Sequence, residues 1–224
     1  MQEIRIRFSK TGKAKYISHL DLMRCFSRAM VRARIPVWYT QGFNPRPYLN
    51  FTMPLSLGVE GFNEAVDVRI DKEMDCAEIV SRLSAVMPPD IQIVSAAEPV
   101  HKMADIAAST YLYVIEQDTM PAEELAEALC KDAASPELLV CKRAKQGRER
   151  VMKTVNLAEH VSNFSAKADE NGNVLARVTL PSSNQYGVNP KLFIGKLLGD
   201  VQVEPIRMRI IREAILCADN VIFE

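Results

Sequence analysis

Ile4, Ile6 and Phe8 alternate with Arg5 and Arg7, the period-two pattern of a half-buried strand with a cationic outer face. Ser18 opens a helix, Asp21 three residues on completes a capping-box pattern, and Pro36 closes it. At about 100° per residue, Leu22, Phe26, Ala29, Met30 and Ala33 form one apolar arc of that helix. Beyond a loop at 38–47, residues 49–57 and 65–70 read as extended, joined by Gly58, Val59, Glu60 and Gly61. Residues 75–87 return to helical spacing at Ile79, Leu83 and Val86 until Pro88 and Pro89 stop it, and Ile91, Ile93 and Ser95 begin a closing strand.

The second half repeats this order with a longer middle. Residues 111–116 are strand-like, and 121–131 predict a helix with Pro121 in its first turn and Leu125 and Leu129 four apart. Residues 138–144 are extended and run into the basic stretch 142–153, after which 151–164 reads as an insertion with a short helix. A hairpin is expected from 166–167 and 174–180 around 169–173, then a helix over 190–198 ending at Gly199, then a strand over 206–215. The simplest organisation is α+β, two tandem ferredoxin-like (βαββαβ) domains with antiparallel sheets, at 1–100 and 108–224. The first would carry the basic helix and an aromatic loop, the second a basic hairpin or insertion at 141–165.

Composition narrows the class. The chain has 224 residues, 48% hydrophobic, the usual proportion for a globular protein of one or two domains. No uncharged run reaches 18 residues, and the N-terminus lacks the apolar core of a signal peptide, so a cytoplasmic protein is expected. The five cysteines include no CxxC pair, and the three histidines have no metal-ligand spacing. No metal and no cofactor is therefore expected of this chain, and no nucleophile motif marks an enzyme. A zero net charge conceals segregation: residues 1–50 carry +8, 51–140 carry −12 and 141–154 carry +5. Such blocks can build one face suited to phosphate and another that repels it.

Three segments concentrate the candidate chemistry. Arg24, Arg28 and Arg32 lie four apart and form one stripe opposite the apolar arc. Like charges at that spacing repel by a few tenths of a kcal/mol, roughly, so an anionic partner would suit them. The loop from Trp38 to Tyr48 packs four aromatics, Gly42, Pro45, Arg46 and Pro47 into eleven residues. The prolines stiffen Arg46, Gly42 permits a sharp turn, and Tyr39 and Phe43 suit base stacking or a protein contact. Lys142, Arg143, Lys145, Arg148 and Arg150 crowd around Gly147, where a cationic hairpin could follow a phosphate backbone. His19 falls inside the apolar arc near Met23 and Phe26. It is the weak candidate for a general acid or base, with a satisfied core histidine as the alternative.

The segments Ser18-His19-Leu20-Asp21-Leu22, Arg28-Ala29, Gln41-Gly42-Phe43-Asn44-Pro45-Arg46-Pro47 and Pro54-Leu55-Ser56-Leu57-Gly58-Val59 resemble the radical-SAM-linked family. That is a bacterial domain of unknown function found alone or fused behind a radical SAM enzyme. The resemblance implies an accessory or substrate-handling module beside a separate radical SAM partner; this chain has no CxxxCxxC cluster motif of its own. The tandem βαββαβ reading is also similar to the RAMP proteins of CRISPR systems, which bind and sometimes cleave RNA. Those nucleases often place a histidine in the first helix region, where His19 sits. The glycine-rich loop of RAMP proteins has no counterpart here, since Gly187, Gly195 and Gly199 are scattered. The expected function is an RNA-binding, substrate-presenting accessory protein. The alternatives are a protein-only docking module or a metal-independent endoribonuclease using His19.

Overall fold

The structure, a computed structural model, describes residues 1–146, 149–183 and 186–224, with backbone only at 142–146 and 149–151. The chain divides into two compact units, Met1–Ile106 with Arg212–Glu224, and Ala107–Ile211. Both belong to the α+β class expected, with antiparallel sheet pairing throughout the registers below.

In the first unit the chain runs β1 (Gln2–Lys10), α1 (His19–Arg32), β2 (Leu49–Phe51), β3 (Val59–Ile70), α2 (Cys76–Ser84) and β4 (Ile91–Ala97). The lateral order is β4-β1-β3, and β2 also pairs with β3. β1 and β3 are buried on both faces. Ile4 and Ile6 lie opposite Val68 and Val66 in the register, and all four are fully buried with Phe8 and Ile70. Against them pack Leu22, Phe26, Ala29 and Met30 of α1, and Ile79 and Leu83 of α2. Burying Leu22, Phe26 and Met30 contributes roughly 1.5–3 kcal/mol each. That far exceeds the mutual repulsion of the arginines on the opposite face, so the apolar arc alone fixes the helix.

The cap expected at Ser18 is present. Its Oγ accepts from the Asp21 N–H at 3.1 Å and donates to Asp21 Oδ2 at 2.7 Å. The C-terminus comes earlier than Pro36 implied. Arg34 takes φ 54°, and the N–H of Ile35 reaches back to the Met30 carbonyl at 3.1 Å. This is a Schellman closure with arginine where glycine is usual. β3 also begins earlier than expected, at Val59, so the four residues 58–61 are mostly strand and not a connection.

The second unit runs β5 (Ile106–Glu116), α3 (Ala122–Ala133), β6 (Leu139–Gln146), β7 (Glu149–Asn156), β8 (Ser162–Ala168), β9 (Val174–Pro181), α4 (Pro190–Asp200) and β10 (Arg207–Cys217). The order is β10-β5-β9-β8, with β6 and β7 forming a separate two-stranded ribbon. Tyr113, Leu125, Leu129, Val178, Phe193 and Leu197 are all fully buried. The Tyr113 hydroxyl donates to the Pro190 carbonyl at 3.0 Å, which satisfies a phenol that burial would otherwise penalise. The stretch 151–164, expected to be an insertion with a short helix, is the end of β7, a single 3-10 turn at Ala158–His160 and the start of β8.

The expected second domain, 108–224, is drawn differently: residues 212–224 belong to the first unit. The division falls inside β10, between Ile211 and Arg212. Beyond them the chain closes on β1, where Arg5 donates to the Glu224 main-chain oxygen at 2.6 Å.

Candidate nucleic-acid interface

With its apolar face buried, α1 leaves Arg24, Arg28 and Arg32 exposed, as the spacing predicts. Their fates differ. Arg24 Nη1 donates to Asp21 Oδ1 at 3.0 Å, and Ser18 first, then Arg24, hold the Asp21 carboxyl below its ordinary range. Arg32 Nη2 is drawn to the Val86 carbonyl at 2.9 Å, past the end of α2. Arg28 has no hydrogen bond or ion pair among the described residues. The stripe is thus one tethered, one open and one diverted guanidinium.

The loop after α1 is a narrow ribbon. Trp38 N–H donates to the Arg69 carbonyl at 2.8 Å, Tyr48 N–H to Trp38 at 2.9 Å, and Thr40 N–H to Arg46 at 2.8 Å. The Trp38 and Tyr48 rings meet edge to face at 6.0 Å, and the Arg69 guanidinium lies 4.2 Å from the centre of Tyr48. These contacts anchor the base of the ribbon on β3. At its tip Gly42 takes φ 141°, a conformation that favours glycine. Phe43 beside it is wholly exposed, at 101% of its reference area, and Tyr39 is 41% exposed. The aromatics therefore divide: Trp38 and Tyr48 are structural, whereas Tyr39 and Phe43 are available.

Helix and ribbon together enclose a cavity of about 370 Å³. Arg24 and Arg28 of α1 and Arg46 of the ribbon line it, over an apolar surface of Leu20, Met23, Pro47 and Leu49, with Ser27 at one side. Three of the candidate arginines, from two separate sequence segments, thus share one concavity. Arg46 is fixed through its backbone, its N–H donating to Thr40 Oγ1 at 3.1 Å, while its side chain has no partner among the described residues.

His19 is half-buried, its ring edge-on to Phe51 at 5.5 Å. Phe51 in turn packs on Phe26 at 5.2 Å. Burial first, and the Lys10 ammonium second, push the imidazole below its ordinary value. In the second unit, the β6–β7 register places Lys142 opposite Lys153 and Lys145 opposite Arg150. The side chains of Lys142, Arg143, Lys145 and Arg150, and the whole of Gly147 and Arg148, lie outside the described residues.

Several charged residues of the first unit are buried, and one of them corrects the sequence reading. Arg5, expected on a cationic outer face, is 2% exposed and lies opposite Asp67 in the β1–β3 register. Arg212 pairs with Glu64, its Nε donating to Oε1 at 2.9 Å, and both side chains are almost wholly buried. Lys10 is also 2% exposed, its Nζ donating to the Ile17 carbonyl at 3.1 Å, and burial lowers its pKa. Arg5 is buried because the end of the chain covers that face of β1, with the Phe223 ring and the Glu224 main-chain oxygen against its guanidinium, and its charge persists because Asp67 meets it, as Glu64 meets Arg212. The signal available was complementarity, since pairing the strands antiparallel sets Glu3 against Arg69 as well as Arg5 against Asp67.

A larger cavity of about 640 Å³ is lined by Glu3, Asp67, Glu73 and Glu98 with Arg5 and Lys102. Arg5 and Asp67 neutralise each other there, which leaves an excess of carboxylates and makes it unsuited to a polyanion. Among the described residues no helix is long and apolar enough to cross a membrane, and no three His, Cys, Asp or Glu side chains gather as metal ligands.

Among solved structures, the chain is similar in fold to one in the crystal structure of a Cbf5-Nop10-Gar1 complex, at 12% identity and a TM-score of 0.47. The alignment covers 93% of this chain and 48% of that one, so this chain spans about half the length of that relative. No curated protein matches it in sequence. Residues 3–190, a span that holds α1, the aromatic ribbon and the basic hairpin, match the family described as an uncharacterized protein conserved in bacteria (DUF2344), and the chain belongs to that family.

Proposed function

We propose that this protein binds RNA and presents it to a separate radical SAM enzyme, as an accessory factor in RNA modification or processing. The observation that carries the RNA half is the convergence of Arg24, Arg28 and Arg46 on one cavity with an apolar floor. Guanidiniums bind phosphate bidentately, and an apolar surface beside them accepts a base face. Phe43 and Tyr39, presented on a ribbon held at its base, would lose little entropy on stacking. The density of basic residues in the sequence from Lys142 to Lys153 acts in the same direction, since clustered cations favour a phosphate backbone. The radical SAM partner rests on the sequence resemblance, together with the absence of a CxxxCxxC motif in this chain.

A salt series of filter-binding titrations with single-stranded and structured RNA tests the reading. Affinity is expected to fall steeply with salt, and each phosphate contact removed should reduce the slope by about 0.7–0.9. Arg28→Gln and Arg46→Gln should each do so without altering the fold. Affinity absent, or insensitive to salt, would remove the basis for an RNA role.

One observation favours a second reading, a docking module that touches only its enzyme: a fully exposed phenylalanine is typical of a protein anchor. Phe43→Ala with Arg46→Ala separates the two. Loss of the enzyme complex by a protein that never bound RNA would select the docking module.

A further inference from the structure

We infer that the cavity between α1 and the aromatic ribbon receives a terminal phosphate monoester of single-stranded RNA, with the end nucleotide lying on the apolar floor. This rests on the RNA reading above and goes further, because it distinguishes an end from the middle of a strand. Charge favours an end over the middle of a strand. Three guanidiniums line the cavity, and Asp21, paired with Arg24, offsets one of them, leaving two net positive charges. A phosphate monoester carries about −1.5 to −2 at pH 7, whereas an internal phosphodiester carries a single charge. The monoester is the better match, and it offers three oxygens to a site with more than one open fork.

The supply of free donors points the same way. Neither the Arg28 nor the Arg46 side chain has a hydrogen bond or ion pair among the described residues, so each keeps its five N–H donors for a ligand. Arg32, which a continuous stripe along the helix would need, is instead bound to the Val86 carbonyl. The cations available are therefore gathered at one point and not laid out along a track. The cavity's size also suits a single nucleotide. About 370 Å³ lies at the small end of the range for small-molecule sites, roughly 300–1,000 Å³, which is the scale of one nucleotide and not of a duplex. Leu20 and Met23 of α1, with Pro47 and Leu49 after the ribbon's turn, give that nucleotide's base apolar surface to cover.

The test is fluorescence anisotropy with one short single-stranded RNA, labelled internally and prepared with a 5′-phosphate, a 3′-phosphate or hydroxyls at both ends. One phosphorylated end should bind at least about tenfold more tightly than the hydroxyl form. The preference should disappear in Arg28→Gln and Arg46→Gln, whose exposed positions leave the fold intact by circular dichroism. The two phosphorylated arms identify which end is recognised. Equal, salt-dependent binding of all three RNAs overturns end recognition while leaving the RNA reading standing. A preference that survives both substitutions also overturns the assignment, since the monoester then sits elsewhere. No affinity for any of the three, with or without capture of a phosphopeptide, overturns this inference and the RNA reading together.

Discussion

Arg5 and Asp67, directly opposite one another on β1 and β3, form a bidentate ion pair shut away from water. Arg5 Nε donates to Oδ1 at 2.7 Å and Nη2 to Oδ2 at 2.8 Å, with the side chains 2% and 7% exposed. The same guanidinium donates to the main-chain oxygens of Glu224 and His101, at 2.6 and 2.9 Å, and lies 4.0 Å from the centre of the Phe223 ring. One side chain thus ties the last residues of the chain to the first strand. Removing Asp67 would strand a buried charge, which costs about 3–5 kcal/mol. Asp67→Ala is expected to lower the urea midpoint accordingly. Arg5→Met combined with Asp67→Leu should lose less than the sum of the single changes, with a coupling of about 0.5–3 kcal/mol. Strict additivity would show that the pair does not act as a unit.

Phe43 and Phe51 make opposite predictions from the same residue type. Phe51 is in edge contact with Phe8 at 6.1 Å, Phe26 at 5.2 Å and His19 at 5.5 Å, so it joins β2 to the α1 core. Phe51→Ala is expected to destabilise the protein by about 3 kcal/mol, allowing for its partial exposure. Phe43 touches nothing that would be lost, and Phe43→Ala should leave stability within about 0.5 kcal/mol. Its effect should appear only in binding, to RNA or to the enzyme partner. Thermal denaturation of both variants beside one binding titration checks this. A large loss of stability in Phe43→Ala would mean that the tip is structural.

The elements that carried strong local signals were legible. The apolar arc of α1, its Ser18 cap and the hairpin around 169–173 follow from spacing and turn chemistry, and Asp169 N–H indeed bonds the Asn173 carbonyl at 2.8 Å. The aromatic ribbon was recognisable as special, and Gly42 adopts the positive φ that made it so. Non-local relationships were out of reach. Arg5 finds Asp67 across 62 residues, and Arg212 finds Glu64 across 148. Nothing in either local window distinguishes a charge that will be buried from one that will be solvated. Likewise the spacing placed Arg24, Arg28 and Arg32 in one row, but only the fold shows Arg32 diverted to Val86 and Arg46 brought in beside the other two.

A carboxyl pair makes the second unit sensitive to acid in an unusual direction. Asp132 at the end of α3 faces Asp200 at the end of α4, and Asp200 is also paired with Lys196. Burial first, then repulsion from the Asp200 charge, raise the Asp132 pKa above the ordinary 3.8, against a smaller opposing pull from Lys196. A desolvated carboxyl beside a second carboxylate is held more easily protonated, so the ionised form is the strained one. The folded state then binds the proton more tightly than the unfolded state. The penalty is absent below about pH 3.8, grows as pH rises through the folded value and is complete above it. Asp132→Asn should therefore raise stability at neutral pH, and the gain should vanish toward pH 3.8. Urea unfolding across that range checks it, and an unchanged or lower midpoint at pH 7 would contradict the pairing.

His19 titrates in the opposite sense. Desolvation against Phe51, then repulsion from Lys10, lower its folded pKa below 6.5. The unfolded chain takes up the proton first, so stability is complete above pH 6.5 and declines as pH falls from there to the folded value. Its imidazole signals in a nuclear magnetic resonance titration should move with a midpoint under 6.5. His19→Gln should flatten the part of the stability profile just below that pH. At pH 7 the wild-type ring is neutral and makes no charge contact with phosphate, so the substitution should leave RNA affinity unchanged within about twofold. A steep loss of binding at pH 7, or a midpoint above 6.5, would place an anion against His19 and move the interface from the arginine cavity to the Phe51 side of the helix start.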